Sequence, residues 1–213
     1  MNLLNPEAGD TPAPSDPADL AAVEQAARAL WRAFPYFAFR YGARGRAFGR
    51  SDSGYLVTLT ELSDDMLRHQ LRWLGELLSA RGMPSILLEH QLELLGRSGR
   101  RLTRSWAERV LAAAAEMRRA RTAALPEAIF IACEISCRQA ARDVPLRCGA
   151  CQLLAAAVAD RALGFGAHDE ALLQVMCEAV GENDASNVAW RRACVAAHAR
   201  ARAALKISSS RAP

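Results

Sequence analysis

An all-α fold is what this sequence predicts, a single-domain bundle of about eight or nine helices. Three observations carry that expectation. Apolar residues return at spacings of three and four through nearly the whole chain. No run shows sustained alternation of β-branched residues, and the one β-leaning piece, residues 55–59, is short and isolated. Proline, glycine and short acidic or hydroxyl-bearing residues fall where helices need starts and stops.

The composition agrees. At 213 residues, 51% hydrophobic and 23% charged, the chain is long enough to bury a core and too apolar for disorder. Alanine and arginine are used heavily, a habit of GC-rich bacterial genomes. The formal net charge of +4 is too modest to argue for nucleic acid. Aromatics are 6%, too few to suggest base-stacking platforms. The first residues lack a basic start and an apolar run, and no stretch approaches the length of a membrane span. Six cysteines without a secretion signal read as reduced thiols, so the expected address is the cytoplasm.

Residues 1–16, rich in proline and small polar residues, read as a flexible leader. Asp16 and Pro17 then form an N-cap with proline at the first helical position, opening a domain over residues 17–206. Leu20, Val23, Ala27, Leu30, Trp31 and Phe34 follow at helical spacing until Pro35. Residues 36–56 break the pattern: Gly42, Gly45, Gly49 and Gly54 alternate with Arg40, Arg44, Arg46 and Arg50. The expectation there is a turn, a loop and a new helix capped near Ser51 to Ser53.

Ser63, Asp64 and Asp65 cap the clearest helix, whose stripe is Leu67, Leu71, Leu74 and Leu78, widened by Trp73 and Leu77. Gly82 closes it and Pro84 opens a helix ending at Gly96. A basic connector, residues 97–106, precedes an alanine-rich helix over about 103–123. Pro126 opens the next helix; Asp143 and Pro145 reset the chain into another that runs to about Leu163. Turns at 164–169 and 181–186 separate the last two helices, and residues 207–213 read as a frayed tail.

The arginine–glycine segment is the most unusual feature. Glycines let backbone amides approach an anion, and guanidinium groups grip carboxylate or phosphate with paired hydrogen bonds. Ser51 and Asp52 would sit at a helix start, where free amides also favour an anion. Arg40, Tyr41, Arg44, Arg46, Arg50, Ser51 and Asp52 are therefore the candidate contacts for a protein partner or an anionic ligand. The plainer reading is a solvated loop whose arginines pair with nearby carboxylates.

Cys133 and Cys137 share a helix face, and Cys148 and Cys151 form a C-x-x-C at the next helix. The four could close a tetrahedral zinc site, or the second pair could serve redox chemistry; the plainer reading is that cysteine fills the core as alanine does. His90 has Ile86, Leu87 and Leu94 around it on its own helix, and an inward histidine is what a haem ligand needs. With Trp31, Phe37 and Phe39 near the first corner, the arrangement loosely resembles the globins, although no globin motif matches residue by residue. Glu134 has Arg138 four residues on as its natural partner.

Metalloprotease, hydrolase-elbow and phosphate-loop motifs are absent from the sequence. The function this predicts is a non-enzymatic bacterial regulatory or accessory protein, working by protein–protein contact through the arginine–glycine segment. The alternatives are a helical sensor holding haem on His90 or zinc on the cysteines, and an enzyme whose site is assembled from scattered residues. An exposed helix face could also serve a homodimer.

Overall fold

Asp16 starts the first helix as its position requires: its carboxylate accepts the Ala18 N–H at 2.7 Å, and Pro17 occupies the first turn. The computed structural model describes residues 3–8, 13–98, 104–140, 147–179 and 185–210. Among the described residues there are nine α-helices and no strand. They are α1 (Pro17–Ala33), α2 (Pro35–Thr58), α3 (Asp64–Ala80), α4 (Ile86–Arg97) and α5 (Arg104–Ala124). α6 (Glu127–Ala140), α7 (Ala150–Ala162), α8 (Asp169–Glu178) and α9 (Ala185–Ser210) complete the series. None of them is long and apolar enough to cross a membrane.

The chain divides into two compact units, one of residues 1–72 and 87–116, the other of residues 73–86 and 117–213. In the first, α1 packs along α2 and buries Val23, Ala26, Leu30 and Trp31. Phe34, Tyr36 and Phe37 fill the corner around Pro35. From α4, Leu88, Leu92 and Leu95 are fully buried, as expected. In the second unit α7 is the centre, touched by α6, α8 and α9. Residues 153–160 of α7 are buried without a break, so its middle turns have no solvent-facing side. Its alanines keep these turns thin enough to be enclosed.

Several boundaries differ from the sequence expectation. The 36–56 segment is not a loop. It is helical throughout except at Gly42, where φ 55° and ψ −146° break the helix once. One glycine suffices for the corner, and from Ala43 onward arginine and alanine favour helix strongly enough to carry Gly45, Gly49 and Gly54 along. Gly96 does not stop α4 but sits within it, where a Cβ would come 2.6 Å from Leu111. Trp73 lies outside the α3 stripe and is 49% exposed, because six residues beyond Leu67 the helix has turned about 240°.

The glycine turns fall as expected. Gly82 adopts φ 74° and ends α3, with Met83 N–H bonded back to the Leu78 carbonyl. Gly164 and Gly166 take the positive φ values of the turn before α8. The helix ending the chain extends to Ser210, past the expected limit near 205. Within the predicted leader, Leu4 and Asn5 are buried and Pro6–Ala8 forms a 3-10 turn. Asp143, Pro145 and residues 99–103 of the connector at 97–106 lie outside the described residues.

Candidate functional site

The site grows from the way α1 meets α2. Trp31 is an apolar-stripe residue of α1, and its indole lies against a glycine track on α2. A Cβ at Gly45 would stand 3.1 Å from Trp31 Cη2, and one at Gly49 would stand 3.4 Å from Nε1. The break at Gly42 also folds Tyr41 back, so that a Cβ on Gly45 would meet its Cβ at 2.3 Å. The glycines thus serve close helix contact, and the amides between them are engaged in helix rather than offered to an anion.

Beside this contact the two helices leave a cleft of about 680 Å³. Glu24, Ala27, Arg28, Trp31 and Arg32 line it from α1, and Ala38, Arg46, Ala47 and Arg50 from α2. Its floor is apolar and its rim carries four arginines against one carboxylate. Glu24 is shared: Arg50 forms an ion pair with it, and Arg28 lies 3.9 Å away one turn along α1. The Arg46 guanidinium stands 5.5 Å from the centre of the Trp31 ring, a cation–π distance. Arg28, Arg32 and Arg46 are exposed at the surface.

Of the residues predicted from sequence, Arg46 and Arg50 line this cleft. Arg40 instead covers the Tyr41 ring at 4.8 Å, and burial raises the Tyr41 pKa above its ordinary value while Arg40 opposes the rise. Arg44 pairs with Glu7 at 2.8 Å and lies over Phe48. Ser51 and Asp52 are mid-helix, where backbone amides are already bonded, so the helix-start anion site predicted for them does not exist. Ser51 is buried. Glu24, Arg28 and Arg32 were missed. Their signal was present in the sequence, since Arg28 and Arg32 are one turn apart and flank Trp31 on the same helix.

The cysteine quartet does not assemble. Cys133, Cys137 and Cys151 are fully buried, whereas Cys148 is only half-buried. The Cys137 thiol donates to the Arg147 carbonyl at 3.5 Å, and the Cys133 thiol to the Ala197 carbonyl at 3.7 Å. Cys151 is hydrogen-bonded to Cys137 and also to Cys194, a residue outside the predicted set. The hydrogen bond with Cys151, then burial, push the Cys137 thiol far up. Among the described residues no three histidine, cysteine or acidic side chains are grouped to hold a metal ion. Cys133, Cys137 and Cys151 are thiols packed between α6, α7 and α9.

His90 is half-buried, and its ring meets Phe34 edge to face with centroids 5.0 Å apart. Glu134 pairs with Arg138 at 2.9 Å, as its spacing predicts, and also accepts the Gly149 N–H at 3.1 Å at the start of α7. It is a capping group.

Two buried carboxylates in the second unit had no sequence signal. Asp160 is fully buried on α7, accepting the Ser85 N–H at 2.8 Å and the Ser85 hydroxyl. Burial raises its pKa to about 6, against hydrogen bonds from Ser85 and Ser79 and the nearby Arg121 charge. Asp169 is also fully buried, 2.9 Å from His198 and 3.1 Å from Arg202, with Arg161 at 3.3 Å. Burial raises its pKa, but those partners outweigh it and hold the carboxyl below its usual range. Asp160 ties α7 to the turn before α4, and Asp169 ties α8 to α9.

Comparison with protein-family models, with curated proteins and with solved structures finds no match to this chain.

Proposed function

We propose that this chain is a non-enzymatic regulatory or accessory module that grips an acidic segment of a partner protein in the cleft of α1 and α2. The observation behind this reading is the convergence of Arg28, Arg32, Arg46 and Arg50 on one cleft with a single carboxylate among them. Guanidinium groups supply paired donors to carboxylates, and the Trp31 and alanine floor gives an apolar side chain a place to bury. The partner segment that fits is acidic and carries one aromatic or aliphatic anchor.

A second reading, an anionic small molecule with an apolar body, is favoured by the size of the cleft. Its 680 Å³ falls in the range of about 300–1,000 Å³ common to small-ligand sites.

The test is fluorescence anisotropy with a labelled glutamate-rich peptide bearing one central phenylalanine. The expected result is saturable binding that weakens with salt and falls at least about tenfold in the Arg28→Glu, Arg46→Glu protein with its circular dichroism unchanged. Binding that is absent, or indifferent to both substitutions, overturns the proposal. Competition by citrate at stoichiometric concentration would favour the small-molecule reading.

A further inference from the structure

A different part of α2 is covered by the chain itself. Leu4 is 6% exposed and rests on Gly54, so closely that a Cβ there would lie 2.1 Å from Leu4 Cδ1. Gly54 therefore forms a notch that takes a branched aliphatic side chain. Asn5 shapes the turn that follows, its Oδ1 accepting the Glu7 N–H at 3.1 Å. Glu7 then reaches Arg44 at 2.8 Å. A leucine and a carboxylate three residues apart thus engage a notch and an arginine on one helix.

We propose that residues 3–8 are a releasable strap, and that the α2 surface beneath them docks a partner segment bearing a leucine and, three residues later, a carboxylate. The strap is held lightly. Its ion pair is well exposed on both sides, at 76% and 62%, and such pairs contribute little. Asn5 is 6% exposed, yet its Nδ2 is buried with no hydrogen-bond partner among the described residues, which works against the strapped state. A competing segment with an apolar residue in place of Asn5 avoids that penalty and keeps both anchors. The strap and its competitor meet Gly54 and Arg44, not the residues lining the arginine cleft.

The strap's own sequence is the probe: a fluorescein-labelled peptide of residues 3–8, and the same peptide with Asn5→Leu. Each is titrated into the intact chain, into Leu4→Asp, Glu7→Lys, and into a chain lacking residues 1–8. A tethered strap competes at an effective concentration of about millimolar, so both strap-disabled proteins should bind more tightly than the intact chain, by about the ratio of that concentration to the peptide's Kd. The Asn5→Leu peptide should bind more tightly still. Adding Arg44→Glu to a strap-disabled protein should weaken binding by up to about fivefold. Equal affinity for intact and strap-disabled proteins overturns the proposal, as does no binding to either disabled form. If both disabled proteins lose their helical fold, the segment is a fixed part of the core and the proposal is wrong.

Discussion

The carboxyl of Asp160 makes the sharpest prediction about stability. It is fully buried and its pKa stands at about 6 against an ordinary 3.8. A raised carboxyl pKa means that the folded chain holds the proton when the unfolded chain has released it. Folding therefore loses stability as pH rises from about 4 to about 6, and the loss is complete above that. The difference of about 2 pKa units corresponds to about 3 kcal/mol of differential stability. Asp160→Asn removes the titration at nearly constant shape. Its amide oxygen can accept the Ser85 N–H, and its NH₂ can donate to the Ser85 hydroxyl oxygen. The measurement is urea unfolding followed by circular dichroism at several pH values between 4 and 7, for both proteins. The gap between their stabilities should move by about 2 kcal/mol in favour of the variant across that range, and should change little above pH 6.5. Parallel curves for the two proteins would refute the reasoning, because they would mean that Asp160 meets the same environment folded and unfolded.

Asp169 should show the opposite sign. Its lowered pKa supplies stability above the unfolded value that is lost as pH falls through the folded one, so Asp169→Asn should flatten the acid limb of the stability curve below pH 4. The same substitution takes the charged partner from His198 and one of two carboxylates from Arg202, which keeps Glu170, and should cost about 1–3 kcal/mol at pH 7 by urea unfolding. Gly45→Ala forces a Cβ against Tyr41 and Trp31 and should destabilise by about 1–3 kcal/mol in the same assay, while Gly42→Ala is costly through its φ of 55° alone. A disulfide thiol reagent added to the folded chain should label Cys148 and Cys177, the two half-buried thiols, and reach Cys133, Cys137, Cys151 and Cys194 only after unfolding. Rapid labelling of Cys137 or Cys151 in the native state would contradict their burial and raised pKa values.

The helices were legible in the sequence because their signals are local. Asp16 before Pro17, Gly82 after α3 and the leucines of α3 and α4 each specify structure within a turn or two of themselves. The pairing of Glu134 with Arg138 was legible for the same reason. The arginine–glycine segment was misread because glycine has two uses that look alike in one dimension. It releases the backbone, as at Gly42, or it removes a side chain so that another element can come close. Which use applies at Gly45, Gly49 and Gly54 depends on Trp31 and Leu4, which are distant in sequence.

Sequence by itself therefore determined the all-α class, most helix boundaries and the residue types available for binding. Tertiary structure alone decided which arginines share a cleft, that Cys151 meets Cys137 and Cys194 in the core, and that Asp160 and Asp169 are buried. The physical reason is range. Capping and amphipathic spacing act over a few residues, whereas a cleft, a notch or a shifted pKa is set by groups that folding brings together across tens of residues.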